Sequence, residues 1–113
     1  MDSELSVIQK TYELYKHFII TNTTIPKLHR YGLGEKTLQI NLELLENLIK
    51  AKTAPKTQKS LFLINASADV EILRFHLRIY LDQKLTSQTR VFQMQSLIRE
   101  IGREIGGWLK STK

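Results

Sequence analysis

Residues 56–84, KTQKSLFLINASADVEILRFHLRIYLDQK, decide the fold because they carry two apolar stripes at helical spacing. One stripe comprises Leu61, Ile64, Ala68, Ile72, Phe75 and Ile79, and the other comprises Leu63, Ala66, Val70, Leu73, Leu77 and Leu81. A two-residue offset is about 200° on a helix of about 3.6 residues per turn, so the stripes lie on nearly opposite faces. This stretch predicts one long helix with more apolar surface than a single core face requires.

Three further segments show the same periodicity. A first helix is predicted from Ser3 to about Thr21, with an apolar face of Leu5, Ile8, Tyr12, Tyr15 and Ile19. A second, from about Gly34 to Lys52, has one apolar set at Leu38, Leu42, Leu45 and Ile49 and another at Ile40, Leu44 and Leu48. A fourth, from a Thr86-Ser87 N-cap to Leu109, carries Val91, Met94, Leu97, Ile98, Ile101, Ile105 and Trp108. Residues 25–34 are expected to be irregular or a short helical turn.

Four amphipathic segments with short links predict an all-α, up-down antiparallel four-helix bundle, formed as a single domain by residues 1–113. The surplus apolar faces of the second and third helices are expected to be buried against another surface. Association into a homo-oligomer is the simplest way to bury them, and the alternative is a broad core face with a few tolerated exposed leucines.

The charge of the chain points to acidic partners. Lys and Arg number 17 against 11 Asp and Glu, which gives a net charge of +6. Such a surface favours polyanions, although the charge could serve solubility alone. The sequence has no cysteine, which fits a reducing compartment, and begins with the acidic Met1-Asp2-Ser3-Glu4 instead of a signal peptide. No apolar run approaches the roughly 20 residues of a membrane span, so we expect a cytoplasmic protein without membrane contact.

Catalytic and metal-binding patterns are missing from the sequence. No Asp or Glu stands three residues before His17, His29 or His76, the spacing that di-iron bundles use. None of these histidines follows an arginine by four to six residues, as in helical ribonucleases of the HEPN class. A phosphate-binding loop is also missing. We therefore expect a protein that is not an enzyme and holds no metal or cofactor.

Basic residues are expected to cluster at two places. In an up-down bundle the first and third links share one end, where Lys27, His29, Arg30 and Lys36 would gather. Pairs of arginines four residues apart recur on the third and fourth helices, at Arg74 and Arg78 and at Arg99 and Arg103. We predict these eight residues as the nucleic-acid or partner-binding surface, because guanidinium groups bind phosphate oxygens in pairs. The alternative is neutralisation by Glu71, Asp82, Glu100 and Glu104.

The end of the chain is rich in glycine. Residues 100–110, EIGREIGGWLK, contain three glycines within six residues. Glycine inside a helix costs about 1 kcal/mol relative to alanine, so the pattern predicts close backbone approach, with Gly102 and Gly106 on one face. Fraying towards the end of the chain is the alternative.

Two motifs together resemble a known family. Residues 26–34 read Pro-Lys-x-His-Arg-Tyr-x-Leu-Gly, and residues 101–110 read Ile-Gly-Arg-x-Ile-Gly-Gly-Trp-Leu-Lys. Over nearly its whole length the chain is similar to the accessory variability determinant (Avd) proteins of diversity-generating retroelements. These are similar in turn to four-helix bundles encoded in intervening sequences of large-subunit ribosomal RNA genes. Gly32 departs from the family pattern, which has a small hydroxyl residue before Leu-Gly. This departure affects the predicted N-cap of the second helix.

The resemblance implies both an assembly and a role. It implies a homopentameric barrel of bundles that binds a reverse transcriptase and nucleic acid, as RNA or RNA/DNA. It also implies that the protein supports mutagenic, adenine-targeted copying of a template repeat RNA into a variable gene (mutagenic retrohoming). A stand-alone basic oligomer of the intervening-sequence type, with an unknown role, is one alternative. A purely structural oligomer is another.

Overall fold

Four helices form the protein in a computed structural model that describes residues 3–112. They are α1 (Ser3–Asn22), α2 (Glu35–Thr53), α3 (Lys56–Asp82) and α4 (Gln88–Ser111), and no strand occurs among the described residues. The predicted all-α, four-helix class is confirmed. The predicted helix boundaries hold to within about two residues.

The helices pack side by side around one elongated core. Each helix contacts the next in the chain, and α1 also packs against α4, which closes the bundle. In this cyclic order α1 lies diagonally across from α3. The core runs along a body of 44 × 23 × 19 Å and includes Phe18, Leu44, Leu73 and Ile98, each at most 1% exposed.

The long helix α3 uses only one of its two apolar stripes for this core. The buried stripe consists of Leu63, Ala66, Val70, Leu73 and Leu77. The opposite stripe is exposed, with Leu61 at 59% and Phe75 at 66% of the side-chain surface accessible. Helix α2 shows the same division, because Leu44 and Leu48 are buried while Leu42 and Ile49 are exposed.

The apolar face predicted for α1 is wrong. The core side of this helix consists of Val7, Thr11, Leu14 and Phe18, whereas Leu5, Tyr12 and Ile19 are exposed. A threonine is tolerated in the core because its hydroxyl Oγ1 donates to the carbonyl oxygen of Val7 at 2.8 Å and so remains hydrogen-bonded within its own helix. Leu5, Tyr12 and Ile19 therefore form a surface stripe.

The link between α1 and α2 is helical. A single turn at Lys27–His29 leads into the π-helical segment Arg30–Gly34, which continues directly into α2. The backbone amide of Glu35 donates to the carbonyl oxygens of Arg30 and Gly32, so α2 begins without a side-chain cap. Although position 32 is a glycine and not the small hydroxyl residue of the family pattern, the backbone amide at the start of α2 is therefore hydrogen-bonded.

A buried polar chain fixes this link to the core. Tyr80 donates its hydroxyl to Asn22 Oδ1 at 2.6 Å, and Asn22 Nδ2 donates to the carbonyl oxygen of Gly34 at 3.0 Å. A Cβ at Gly34 would lie 3.2 Å from the Asn22 side chain, so glycine allows the close approach. Gly34, the last residue of the motif at residues 26–34, thus has a packing role in this protein.

The turn between α3 and α4 has a defined cap on each side. Lys84 has a φ of 54°, and the amide of Leu85 donates to the carbonyl oxygen of Tyr80 at 2.9 Å, which is the pattern of a left-handed helix C-terminus. Ser87 Oγ accepts from the amide of Arg90 at 3.1 Å, which confirms Ser87 as the predicted N-cap of α4. The apolar positions predicted for α4 are also confirmed, because all but the partly buried Leu97 are buried.

Candidate nucleic-acid interface

The eight basic residues predicted from the sequence fall into three places. Arg74, Arg78, Arg99 and Arg103 belong to the neighbouring helices α3 and α4. Lys27, His29 and Arg30 lie in the link between α1 and α2, and Lys36 lies in the first turn of α2. The four arginines are the largest set, and two of them, Arg74 and Arg99, line one groove.

The groove between α3 and α4 has an apolar floor and polar sides. It encloses about 290 Å³ and is lined by Arg74, Leu77, Gln95, Ile98 and Arg99. Leu77 and Ile98 are fully or almost fully buried beneath it. Charges above an apolar floor interact with an anion more strongly than charges surrounded by water.

Glu100 and Glu104, the acids that could have neutralised the α4 arginines, pair with α1 instead. Lys10 of α1 forms ion pairs with Glu104 and, at 3.5 Å, with Glu100. Within residues 3–112, neither Arg99 nor Arg103 forms an ion pair. The alternative of neutralisation is therefore wrong for α4.

The two arginines of α3 do have acidic neighbours. Arg74 Nε lies 3.3 Å from Glu71 Oε2, and Arg78 Nε lies 3.8 Å from Asp82 Oδ2. All four side chains are more than 45% exposed, so each pair is worth a few tenths of a kcal/mol, roughly 0.3–0.5, and yields readily to a stronger anion. The groove as a whole keeps a surplus of positive charge.

Gly102 allows the side chain of Arg74 on α3 to pack closely against α4. A Cβ built at Gly102 would lie 2.7 Å from Arg74 Nη2, a distance that real Cβ atoms do not show. A close approach is thus present at this glycine, but its neighbour is the end of an arginine side chain and not another backbone as predicted. It is absent at Gly106 and Gly107, where a Cβ would meet nothing within 4 Å because both residues are exposed at the bundle surface.

The link residues serve the fold as much as the surface. Arg30 Nη2 donates to the carbonyl oxygens of Thr23 at 3.3 Å and Ile25 at 3.2 Å, which occupies part of its guanidinium group. Lys27 is exposed and His29 is half-buried. Lys36 does not line the arginine groove; together with burial, its charge lowers the pKa of His76.

Two exposed apolar faces flank the bundle. The α3 face contains Leu61, Ile64, Ile72 and Phe75, and the α1 face contains Leu5, Tyr12 and Ile19. Because α1 and α3 lie diagonally across the bundle, the two faces point away from each other. The sequence predicted the surplus on α3 but took the α1 stripe for core.

Sequence reasoning missed two features near these surfaces. The ion pairs of Lys10 with Glu100 and Glu104 could not be predicted, because they depend on how α1 packs against α4. Asp69 was also missed: it is 3% exposed, and its Oδ2 accepts from Asn47 Nδ2 at 3.0 Å. An acidic residue inside the buried stripe of α3 was the one available signal.

Among residues 3–112, no three potential metal-ligating side chains come together.

A comparison with protein families agrees with this architecture. Residues 5–112 match the family described as bAvd-like. The chain belongs to the bAvd-like family. This match covers both motifs from which the resemblance was inferred and confirms it. No curated protein matches the chain. Among the described residues of this bAvd-like protein, no helix is long and apolar enough to cross a membrane.

Proposed function

We propose that this bAvd-like protein is a non-catalytic accessory protein of a diversity-generating retroelement. It binds the reverse transcriptase and RNA or RNA/DNA in the cytoplasm and so supports mutagenic retrohoming. The observation that carries the proposal is the basic groove between α3 and α4, which Arg74 and Arg99 line. Within residues 3–112, Arg99 and the nearby Arg103 have no acidic partner, while Lys10 pairs with Glu100 and Glu104 on the α1 side of α4.

The groove fits nucleic acid because its charges repeat along the helices. Arg74 and Arg78, like Arg99 and Arg103, are four residues apart, which corresponds to a rise of about 6 Å. A polyanion can contact several such charges and release counterions from each phosphate that it contacts. Binding is therefore expected to be largely independent of sequence and to weaken as salt rises, with a log–log slope of about −0.7 per phosphate on single strands.

We propose further that the protomers associate head to tail in a homopentameric ring. The α3 face and the α1 face differ in sequence and lie on opposite sides, which favours a contact between unlike surfaces. Such heterologous contacts close into rings when the rotation between neighbours permits it. The family resemblance supplies the number five. A ring multiplies the basic groove and so raises the affinity for a long RNA through multivalency.

Charge reversal tests the basic groove directly. The double variant Arg99→Glu/Arg103→Glu should abolish binding of a labelled single-stranded RNA and of the reverse transcriptase, while helicity and oligomer mass stay unchanged. The matched control is Lys52→Glu/Lys56→Glu, which makes the same change in charge at exposed positions beside the turn between α2 and α3. If both double variants bind equally well, or lose binding equally, the groove is not the binding surface.

A further inference from the structure

We propose that the α3–α4 groove contains a seat for one phosphate of single-stranded RNA, formed by Arg74 and Arg99 and held in shape by Gly102. This inference rests on the proposed function, because it names the ligand group and a positioning residue within the same groove. Gly102 itself contacts no ligand. Its role is to leave the space that the Arg74 guanidinium occupies.

Arg74 packs against Gly102. Its Nη2 lies 2.7 Å from where a Cβ of residue 102 would be, and the Val70 side chain completes this surface, with Cγ1 at 3.6 Å from the same Cβ position. The Arg74 Nε also lies 3.3 Å from Glu71 Oε2, but this exposed pair is weak, so the packing against Gly102 carries the positioning. A guanidinium group that is already positioned loses less conformational freedom when it binds an anion, which favours affinity.

Arg99 lines the same groove from the opposite helix. It forms no ion pair within residues 3–112, so its donors are available. Gln95, one turn before Arg99, adds an amide to the same wall. The two arginines can each donate to one non-bridging oxygen of a phosphodiester, while Leu77 and Ile98 form an apolar floor below.

The neighbouring charges favour a nucleic-acid strand over an acidic peptide. Arg78 follows Arg74 by one helical turn and Arg103 follows Arg99 by one turn, so each arginine of the seat has a further cation one turn along its own helix. A strand of phosphates can use this series without folding. A glutamate-rich peptide would have to place carboxylates on side chains of variable reach.

The test compares alanine at two glycines of the same helix. Gly102→Ala places a methyl group 2.7 Å from Arg74 Nη2, so the end of that side chain must shift, and Gly106→Ala adds the same group one turn later, where it meets nothing within 4 Å. Binding of a fluorescein-labelled single-stranded uridine RNA of about 20 nucleotides is measured by anisotropy over a range of salt concentrations. A glutamate-rich peptide serves as the second probe.

Gly102→Ala should weaken RNA binding by about tenfold and flatten the log–log salt slope by up to about 0.7, whereas Gly106→Ala should leave both unchanged. Both variants should melt no lower than the wild type, since alanine is the better helix former and the displaced Arg74 end is flexible. The combined variant Arg74→Ala/Gly102→Ala should bind no more weakly than Arg74→Ala alone, because the two act through one contact.

Several outcomes would overturn the seat. If wild-type protein binds the RNA and Gly102→Ala binds it equally well, the seat is wrong and the basic groove stands. The same holds if Gly106→Ala loses as much affinity as Gly102→Ala. If the wild type binds no RNA, the seat falls together with the proposed function. Preference for the peptide, lost in Gly102→Ala, would reassign the seat to a protein partner.

Discussion

Replacing Asp69 by asparagine should stabilise the protein at pH 8 and change the pH dependence of its unfolding. Asp69 lies on α3 and faces α2, where Asn47 donates to it and Glu43 shares a hydrogen bond with it. Glu46 and Lys50 of α2 line a separate groove between α2 and α3 that also contains Asp69. Burial and the neighbouring Glu43 carboxyl raise the pKa of Asp69 to about 7.

The sign of the effect follows from proton binding. Between pH 4 and 7 the folded protein holds the Asp69 proton more tightly than the unfolded chain does, so the free energy of unfolding falls as pH rises. This contribution is fully present below about pH 4 and is lost as the pH passes through about 7. Each unit of pKa shift corresponds to about 1.4 kcal/mol, so a shift from 3.8 to about 7 corresponds to on the order of 4 kcal/mol.

His76 acts in the opposite direction. Burial and Lys36 lower its pKa, so its contribution to stability is present above about pH 6.5 and is lost as the pH falls through the lowered folded value. The wild-type curve is therefore a sum of opposing terms. The difference between the wild type and Asp69→Asn isolates the Asp69 term, because His76 is common to both.

Urea unfolding followed by far-ultraviolet circular dichroism at pH values from 4 to 8 measures this difference. Asparagine keeps an oxygen for Asn47 and adds a donor for Glu43, so at pH 8 the variant should exceed the wild type by roughly 1–3 kcal/mol. The gain should shrink towards pH 5. The control Asp82→Asn, on the same helix and 60% exposed, should change stability little. A pH-independent difference, or a loss of stability at pH 8, would refute the reasoning.

Three further predictions concern the turn, the buried polar chain and the assembly. Lys84→Gly should stabilise the protein by about 1 kcal/mol because glycine adopts the φ of 54° without strain, whereas Lys84→Ala should not; equal melting temperatures would contradict this. Tyr80→Phe should cost about 1–3 kcal/mol in urea unfolding by leaving the buried Asn22 acceptor unpaired, whereas the exposed Tyr31→Phe should cost nothing measurable. Phe75→Glu should lower the oligomer mass in light scattering while the exposed Gln58→Glu retains it, and an unchanged mass would exclude the α3 face from the assembly.

The sequence predicted most of the bundle because helical periodicity is read within one segment. The apolar positions of α4 and the buried stripe of α3 follow directly from that period. The same reasoning failed for α1, where two stripes compete and the core takes the smaller residues Val7 and Thr11. Which stripe is buried depends on the partner helices, and a single segment does not contain that information.

The candidate interface was predicted in composition but not in arrangement. Both arginines that line the α3–α4 groove, Arg74 and Arg99, were identified from spacing, and Gly102 was expected to allow a close approach. The pairing of Glu100 and Glu104 with Lys10 depends on contacts across the bundle, between residues more than 80 positions apart. The partial use of Arg30 by its own link likewise follows only from the folded turn.

The most direct test of the proposed role is an affinity purification of the tagged protein from its own cells, with the bound proteins and RNA identified. The wild type should recover a reverse transcriptase together with one repeat-derived RNA, and Arg99→Glu/Arg103→Glu should recover neither. Recovery of ribosomal RNA fragments, of nothing above background, or of the same reverse transcriptase and RNA by both proteins would contradict the account.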